Sequence, residues 1–317
     1  MRRELGQLSL ADGLVEGAAG RNRQLDKIAS LVDWGGFERL LAAVYAAPVG
    51  RPSYGPLVLL RCTLLQQWYG LSDPGLEEAL SDRLSFRRFV GLALADPVPD
   101  HSTLSRFRSE LMRRGLDAPL LAELNRQLDA RGLMVKTGTL IDASLVAADS
   151  RRPRKGEPVE GRSDRNASWN AMPEKPLFGY KAHVAVDRGS GLVRQAVLTP
   201  ANVSDKTPFL DLVQGDEQAV YADKGYEGWW YRAELVRRGI EDGIMRSAAH
   251  HVRLSASDQA RNRTIGVIRA PVERIFATMK RWYGYGRVRY RSLARNTLQL
   301  QLLAMAMNLR RALVLGG

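Results

Sequence analysis

The sequence predicts an α/β fold in which a helical N-terminal domain precedes a mixed β-sheet covered by helices. Apolar residues recur at helical spacing through roughly the first 133 residues. Near residue 134 the pattern changes to alternating runs rich in β-branched residues, which is typical of strands. Farther on, strand-like and helix-like segments alternate, which favours a sheet with helices on its faces. We therefore predict a helical domain over 1–133 and an α/β domain over 134–317.

Turn residues divide the first domain into helices. The segment PVGRPSYGP is a turn-rich connector at 48–56. Ser72 or Asp73, followed by Pro74, has the composition of a helix start. The predicted helices of this part of the chain cover 31–45, 57–69 and 71–89.

A basic helix follows the Pro-bounded turn that begins at Asp96. Its predicted inner face consists of Leu104 and Phe107 with Leu111, and it carries Arg106 and Arg108. A helix, a turn and a basic helix are compatible with a helix-turn-helix unit that reads a DNA major groove. A packing hairpin with a basic surface explains the same pattern, so both interpretations stay open.

Strands and helices of the second domain are separated by two irregular stretches. A charged segment without periodicity predicts an exposed loop over 148–176, and a second irregular insertion is predicted over 246–265. Pro271 favours a helix that begins near Ala270, because proline is tolerated in a first turn. Strands are predicted over 139–146, 180–186, 192–199, 218–223 and 239–245, and helices over 206–213, after 224 and over 292–314.

Three acidic residues stand out in this order of elements. Asp142 interrupts the apolar run of the first strand, and Asp223 ends a later short strand. We expect these two strands to be neighbours in the centre of the sheet. Glu273 lies on the helix predicted near Ala270, at the edge of its apolar face. The alternatives are a turn aspartate at 223 and a solvated surface glutamate at 273.

Charge predicts a polyanionic partner. The formal net charge is +13, and the segment 246–295 alone holds twelve Arg or Lys residues against the acids Asp258 and Glu273. Such a balance favours nucleic acid first and an anionic membrane surface second. Cys62 is the sole cysteine, which excludes an internal disulfide and favours a reducing cytosol. The N-terminus has no secretory signal, and no apolar run is long enough to span a membrane.

Converging carboxylates require a cation. Acids brought together without a base repel each other, which raises the pKa of at least one of them. Hard oxygen ligands with open positions suit Mg²⁺ or Mn²⁺. Two such ions can activate an attacking oxygen and stabilise a leaving one during phosphoryl displacement. If Asp142, Asp223 and Glu273 converge, the sequence therefore predicts metal-dependent phosphoryl transfer.

Several motifs together carry a resemblance to a known family, across nearly the whole chain. The N-terminal half contains RPSYGPLVLLRCTLLQQWYGLSDPGLEEALSDRLSFRRFVGL and PDHSTLSRFR. The second half contains TLIDASLV, GYKAHVAVDRGSGLVRQAVLTPANVSD, VYADKGYEG and VERIFATMKRWYGYGRVRYRS. With these motifs the sequence resembles the IS5-type insertion-sequence transposases, within the DDE transposase and ribonuclease H-like superfamily.

The resemblance implies a catalytic triad of Asp142, Asp223 and Glu273, which also holds the metal. Arg269 and Lys280 match the family signature around the glutamate, whereas Gly266 stands where a Tyr is often found. The implied fold is ribonuclease H-like. The implied reaction is nicking at the element ends with two Mg²⁺ ions, for which Mn²⁺ substitutes. Attack of the freed 3′-hydroxyl on target DNA follows.

Basic and aromatic residues give candidate DNA contacts. Arg269 and Lys280 would grip phosphate near the cut, and the alternating arginines at 287, 289 and 291 would present one basic edge to the DNA backbone. Lysines beside the catalytic strands are further candidates, although solvated lysines explain them equally. Trp229 and Trp230 are candidates for stacking on an unpaired base, with core packing as the alternative. The full set of predicted DNA-binding residues is Arg269, Lys280, Arg281, Arg287, Arg289, Arg291, Lys181, Lys224, Arg106 and Arg108.

The expected partners are double-stranded DNA, as inverted-repeat ends and as target, and a second copy of the chain, because two ends must be joined. The expected location is the bacterial cytoplasm, with no membrane association. Two other functions remain open from the sequence: a DNA-binding protein of this fold without catalysis, and a metal-dependent nuclease that cuts without joining.

Overall fold

The computed structural model describes residues 5–7, 22–45, 53–154, 163–172, 174–248 and 252–316. The chain divides into two compact units, one formed by Met1–Gln127 with Gln301–Gly317 and the other by Leu128–Leu300. The sequence predicts a domain boundary near residue 133, with all later residues in the second domain. The structure instead groups the last seventeen residues with the helical unit.

Helices build the first unit, as predicted. The third described helix is buried on nearly all sides through Leu60, Leu64 and other apolar residues, and its Trp68 Nε1 donates to the carbonyl of Ala306 at 2.9 Å. The described helices of this unit, in chain order, are α1 (Arg23–Leu31), α2 (Trp34–Leu40), α3 (Pro56–Tyr69), α4 (Asp73–Asp82), α5 (Leu84–Val90), α6 (His101–Arg113) and α7 (Asp117–Ala130).

Local caps explain where several of these helices begin. The Ser72 side chain accepts from the backbone of Gly75 at the start of α4, and Asp100 accepts from Thr103 at the start of α6. Two predicted helices are each interrupted in the structure. The prediction over 31–45 missed the cap at Asp33, which starts α2, and the prediction over 71–89 missed the break between α4 and α5. Residues 48–52 of the predicted connector lie outside the described residues.

A mixed sheet forms the centre of the second unit. Strand β1 lies between β3, which is antiparallel to it, and β5, which is parallel to it; β6 is parallel to β5, and β4 is antiparallel to β3. The described strands are β1 (Thr139–Ala147), β2 (Ser168–Trp169), β3 (Phe178–Asp187), β4 (Val193–Pro200), β5 (Ala219–Ala222) and β6 (Glu241–Ile244). The described helices of this part of the chain are α8 (Trp229–Arg237), α9 (Ala256–Trp282) and the first residues of α10 (Leu293–Leu315).

Alternation along β1 separates a core face from a polar position. Ile141 joins a buried apolar cluster with Ala185 of β3 and Ala222 of β5. Because successive side chains point to opposite faces of a strand, Asp142 faces away from this cluster. The parallel register pairs Leu140 with Tyr221, so Asp142 is level with the residue that directly follows β5, Asp223. The predicted adjacency of the two strands is confirmed.

Two predicted helix boundaries are wrong. Helix α9 begins at Ala256, where Ser255 caps it, and Pro271 lies inside it rather than in its first turn. The described part of the predicted insertion over 246–265 is therefore largely helical, and buried apolar residues on α9 stabilise the helix through the proline. The predicted helix over 206–213 contains only the short 3₁₀ turn Leu210–Leu212, because Pro208 lacks the N–H that a helix interior requires.

The predicted exposed loop over 148–176 is partly buried where the structure describes it. It contains β2, and Asp164 is only 3% exposed. The Asp164 carboxylate accepts from the Tyr180 hydroxyl at 2.5 Å and from the Ser292 backbone at 3.1 Å, so it ties this segment to the sheet. Residues 155–162 and 173 lie outside the described residues. No helix within the described ranges is both long and apolar enough to cross a membrane.

Candidate active site

Asp142 is a partly buried carboxylate in the interior of β1. Its side chain is 23% exposed, and its Oδ1 accepts from the backbone N–H of Ala143 at 2.8 Å. Burial raises its pKa, opposed by the Arg269 guanidinium and the Ala143 hydrogen bond and reinforced by the charges of Asp223 and Asp205. A cation placed beside this carboxylate therefore stabilises its charged form.

Arg269 supplies a cation to this carboxylate. It projects from α9, its side chain is 12% exposed, and its Nη2 lies 3.2 Å from Asp142 Oδ2. Glu273 follows Arg269 by four residues on the same helix, so their side chains share one face, with Cβ atoms about 6 Å apart. Glu273 itself is exposed. Helix α9 therefore carries both an arginine that contacts the central aspartate and, one turn later, an exposed carboxylate.

Asp223 is fixed by the short turn that follows β5. Its Oδ1 accepts from the backbone N–H of Gly225 at 2.7 Å and caps the 3₁₀ turn Lys224–Tyr226. This cap orients the carboxylate at the end of the strand. Two aspartates on adjacent central strands, one in a strand interior and one at a strand end, thus lie at the same level of the sheet.

Asp205 is a third carboxylate at this site and was not predicted from the sequence. It lies 2.7 Å from Lys181 Nζ as an ion pair without the alignment of a hydrogen bond. A Cβ atom built on Gly225 would lie 2.9 Å from Asp223 Oδ1 and 3.6 Å from Asp205 Oδ2, so both carboxylates border the same glycine. The signal available in the sequence was an acid soon after β4, in NVSD.

Tyr226 is a buried residue of the 3₁₀ turn that follows Asp223. Its side chain is 1% exposed, and its hydroxyl has no hydrogen-bond partner within the described residues. Burial is the main cause of the raised pKa of the Tyr226 hydroxyl, and the charges of Asp205, Asp142 and Asp223 raise this pKa further. The negative charges of all three carboxylates therefore act on one buried hydroxyl.

His183 is a core residue. It is fully buried in β3, and its Nε2 lies 2.9 Å from Thr199 Oγ1. Burial lowers its pKa to about 4, because the charged imidazolium is disfavoured away from water. The neutral ring therefore contributes to packing between β3 and β4.

Lowering the pH should destabilise the protein through His183. The unfolded chain binds a proton near pH 6.5, whereas the folded ring binds one only near pH 4, so stability falls as the pH falls through this window. The expected loss from this residue is ~3 kcal/mol. Denaturant unfolding at several pH values should show a smaller loss between pH 6.5 and pH 4 for His183→Gln than for the natural protein. An identical pH dependence in both would contradict the assignment.

Comparison with family models decides the family. Residues 15–110 match the family described as Transposase domain (DUF772), and residues 134–309 match the Transposase DDE domain, which is more than half of the 317 residues. The chain belongs to the DDE transposases of insertion sequences. The matches do not specify the IS5 type. The strand order and directions of this transposase are those of the ribonuclease H-like fold, as predicted.

Solved structures with some similarity to this transposase include two transposition complexes. One is the piggyBac transposase synaptic complex with hairpin DNA, at 11% identity and a TM-score of 0.39, over 89% of this chain and 73% of that one. Another is the Mos1 strand transfer complex, at 13% identity and a TM-score of 0.21, over 90% and 96%. These scores are low, so the fold assignment rests on the strand order and the family match.

Most of the predicted DNA-binding cations of this transposase are exposed. Arg289 is half-buried, and Arg269 pairs with Asp142. Trp229 and Trp230 are 78% and 56% exposed and contact each other edge to face, so the core-packing alternative is wrong for both. The exposed cations are Arg106, Lys224, Lys280, Arg281, Arg287 and Arg291.

Two predicted DNA contacts are internal instead. Lys181 is 15% exposed in its side chain and is held by Asp205 and by the carbonyl of Val203 at 2.8 Å. Arg108 is buried and makes a two-pronged ion pair with Asp73, one contact measuring 2.9 Å. The acidic partners of Arg108 and Lys181 lie far away in the sequence. The residues next to each cation therefore gave no sign that it is paired inside the protein.

Removing Arg108 should cost stability rather than a DNA contact. Arg108→Ala leaves the partly buried Asp73 carboxylate without its partner, which we expect to cost ~3 kcal/mol. Thermal or denaturant unfolding measures the loss. Arg106→Ala, on the exposed face of the same helix, is the control and should change stability by less than about 0.5 kcal/mol. Equal stability of the two variants would contradict a structural role for Arg108.

The donor chemistry of the site fits a divalent cation, the group that the DDE family implies. Asp142 and Asp223 provide hard carboxylate oxygens, and Arg269 already places a positive charge against Asp142. No group of three Asp, Glu, His or Cys side chains in the described ranges lies close enough to hold one ion. The structure thus brings Asp142 and Asp223 together as a pair, with Glu273 one helical turn beyond the arginine.

Proposed function

We propose that this protein catalyses metal-dependent phosphoryl transfer on duplex DNA. In this proposal it cleaves at the ends of its insertion sequence, and the freed 3′-hydroxyl then attacks target DNA. The proposal rests on the positions of Asp142 and Asp223, which lie at the same level on adjacent strands. The Arg269 guanidinium forms an ion pair with Asp142. The family match supports DNA transposition as the general activity.

Asp142 and Asp223 would hold the divalent ions, Mg²⁺ or Mn²⁺, with Glu273 as the third carboxylate. Two bound ions would activate the attacking oxygen and stabilise the leaving oxygen. Glu273 would reach the metal site from the face of α9 that also carries Arg269. Arg269 is then available for a DNA phosphate, because a guanidinium matches carboxylate and phosphate equally well.

An exposed basic edge lies beside the end of β1. The backbone of Ala147 donates to Gly286 at 3.0 Å and accepts from Val288 at 2.9 Å, which attaches this segment to the strand. Val288 is buried, whereas Arg287 and Arg291 are exposed. Ala147 lies about 16 Å along the strand from Asp142. A duplex held at the aspartates would therefore reach these arginines, and we propose that they bind its phosphates.

Arg287→Ala should weaken binding to all DNA sequences by a similar factor. Loss of one phosphate contact should reduce the slope of log affinity against log salt by about 1. Fluorescence anisotropy with the element end and with unrelated duplex measures both. Arg237→Ala is the control, because Arg237 is exposed but already paired with Glu234. A loss confined to one sequence would contradict a phosphate contact.

The remaining roles extend the same proposal. Trp229 and Trp230, exposed directly after the turn of Asp223, are proposed to stack on an unpaired base near the cut. The helical unit is proposed to bind the DNA ends, to dimerise, or both. A homodimer is proposed because two ends must be joined in one event.

One assay with separate cleavage and joining readouts tests this function against its alternatives. Purified protein is incubated with a duplex that carries the element end and with a supercoiled target plasmid, in Mg²⁺. The proposal predicts both cut ends and end–plasmid joints. Cutting without joints would favour a nuclease of this fold, and tight binding without cutting would favour a DNA-binding protein that lacks catalysis.

A further inference from the structure

The Lys181–Asp205 ion pair lies inside the second unit. Lys181 is opposite Leu145 in the β1–β3 register, so it points to the face of the sheet away from Asp142. Its ammonium group contacts Asp205 Oδ1 at 2.7 Å and donates to the Val203 carbonyl at 2.8 Å. A lysine held by two partners positions Asp205 rather than reaching DNA.

The other oxygen of Asp205 lies beside the turn that holds Asp223. Oδ2 borders Gly225, the residue whose N–H binds Asp223 Oδ1. Because Gly225 has no side chain, nothing from this residue separates the two carboxylates, and a Cβ there would lie 2.9 Å from Asp223 Oδ1. One oxygen of Asp205 thus contacts the Lys181 ammonium group, and the other oxygen lies on the side of Asp223.

A buried hydroxyl also points to a missing partner at this place. Tyr226 is 1% exposed, and its hydroxyl has no hydrogen-bond partner within the described residues. A buried hydroxyl without a partner is costly, so such groups normally bind protein or ordered water. The negative charges of Asp205, Asp142 and Asp223 raise the pKa of this hydroxyl, and the charge of Arg269 opposes them. A polar ligand sphere among the three carboxylates would satisfy it.

We propose that Asp205 is a positioning residue for the divalent ion held by Asp142 and Asp223. It acts through bound water and through its charge, because no three acidic side chains in the described chain are close enough to share an ion directly. Lys181 holds Asp205 in place and partly offsets its charge. This inference rests on the proposed function, and it adds a residue outside the three acids of that proposal.

Replacing the two members of the ion pair should affect metal binding unequally. Asp205→Asn removes a negative charge and should weaken Mn²⁺ binding about tenfold, since residues that orient metal ligands are typically worth 10–100-fold in affinity. Lys181→Met keeps the Asp205 charge but releases the carboxylate, so it should weaken Mn²⁺ binding less than Asp205→Asn does. If the pair were only structural, breaking it from either side would have the same effect.

Mn²⁺ binding to the full-length protein without DNA tests this, with the electron paramagnetic resonance signal of free Mn²⁺ as readout. Asp211→Asn, an exposed acid in the same connection, is the matched control and should bind as the natural protein does. Asp205→Glu, which keeps the charge, should restore most of the affinity. Thermal unfolding of every variant identifies any that do not fold, in which case Asp205→Glu and Asp205→Asn are compared directly.

Asp142→Asn in the same titration separates failure of this inference from failure of the proposed function. If Asp142→Asn abolishes Mn²⁺ binding and Asp205→Asn leaves it unchanged, only the role of Asp205 is overturned. Equal weakening by Asp205→Asn and Lys181→Met also overturns it. If Asp142→Asn binds Mn²⁺ as the natural protein does, the proposed metal site itself is wrong.

Discussion

Asp142→Asn should abolish site-specific cleavage of the element end while the fold is retained. Asparagine has the same shape and keeps an oxygen for the Ala143 N–H, but it lacks the charge that draws Arg269 and would hold a divalent ion. We expect a loss of about a thousandfold or more in cleavage rate, equivalent to ~4 kcal/mol of transition-state stabilisation. Stability should change little, because burial already disfavours the charged form of this carboxyl.

Single-turnover cleavage of a labelled end duplex in Mg²⁺ measures this effect. Asp149→Asn, an exposed acid just beyond β1, is the control and should cut at the natural rate. Cleavage by Asp142→Asn within tenfold of the natural protein, with the same product, would exclude Asp142 from the chemistry.

Glu273→Gln should cost cleavage but neither stability nor DNA binding. Glu273 is exposed on α9, so its replacement leaves no buried group without a partner. If it acts as the third metal-binding carboxylate, cleavage should fall about a hundredfold or more. DNA affinity in Ca²⁺ should stay within about threefold, because Glu273 contributes no phosphate contact.

The solvated-surface alternative for Glu273 makes the opposite prediction. In that case Glu273→Gln cuts at the natural rate, like Glu241→Gln, an exposed acid at the start of β6 that serves as control. Loss of folding together with cleavage would instead identify Glu273 as structural. Rate, melting temperature and affinity measured on the same preparations distinguish these three results.

The sequence predicted the centre of the site because strand order follows from local patterns. Asp142 sits inside a β-branched run and Asp223 ends another, and parallel strands in the centre of a sheet bring such positions to one level. Glu273 was placed on a helix correctly, but the helix is much longer than predicted. Pro271 suggested a start, whereas the packing of buried residues on both sides of it keeps the helix continuous.

Residues whose partners are distant in the sequence were harder to predict. Arg108 looks like a DNA contact within its own basic helix, but Asp73 pairs with it from another helix. Lys181 looks like a surface lysine beside a catalytic strand, but Asp205 lies beyond the next strand. Asp205 was missed because it lies in an irregular connection, where no periodicity marks one acid as different from another.

The central claim is that this chain joins a 3′-hydroxyl DNA end to target DNA in a metal-dependent reaction. The most direct test supplies a pre-cut element end, with a 3′-hydroxyl or a 3′-deoxy terminus, together with a supercoiled plasmid. We predict end–plasmid joints with the 3′-hydroxyl end in Mg²⁺ and none with the 3′-deoxy end or in a chelator. Bound ends without joints in Mg²⁺ or Mn²⁺, or plasmid cut equally with both ends, would contradict the claim.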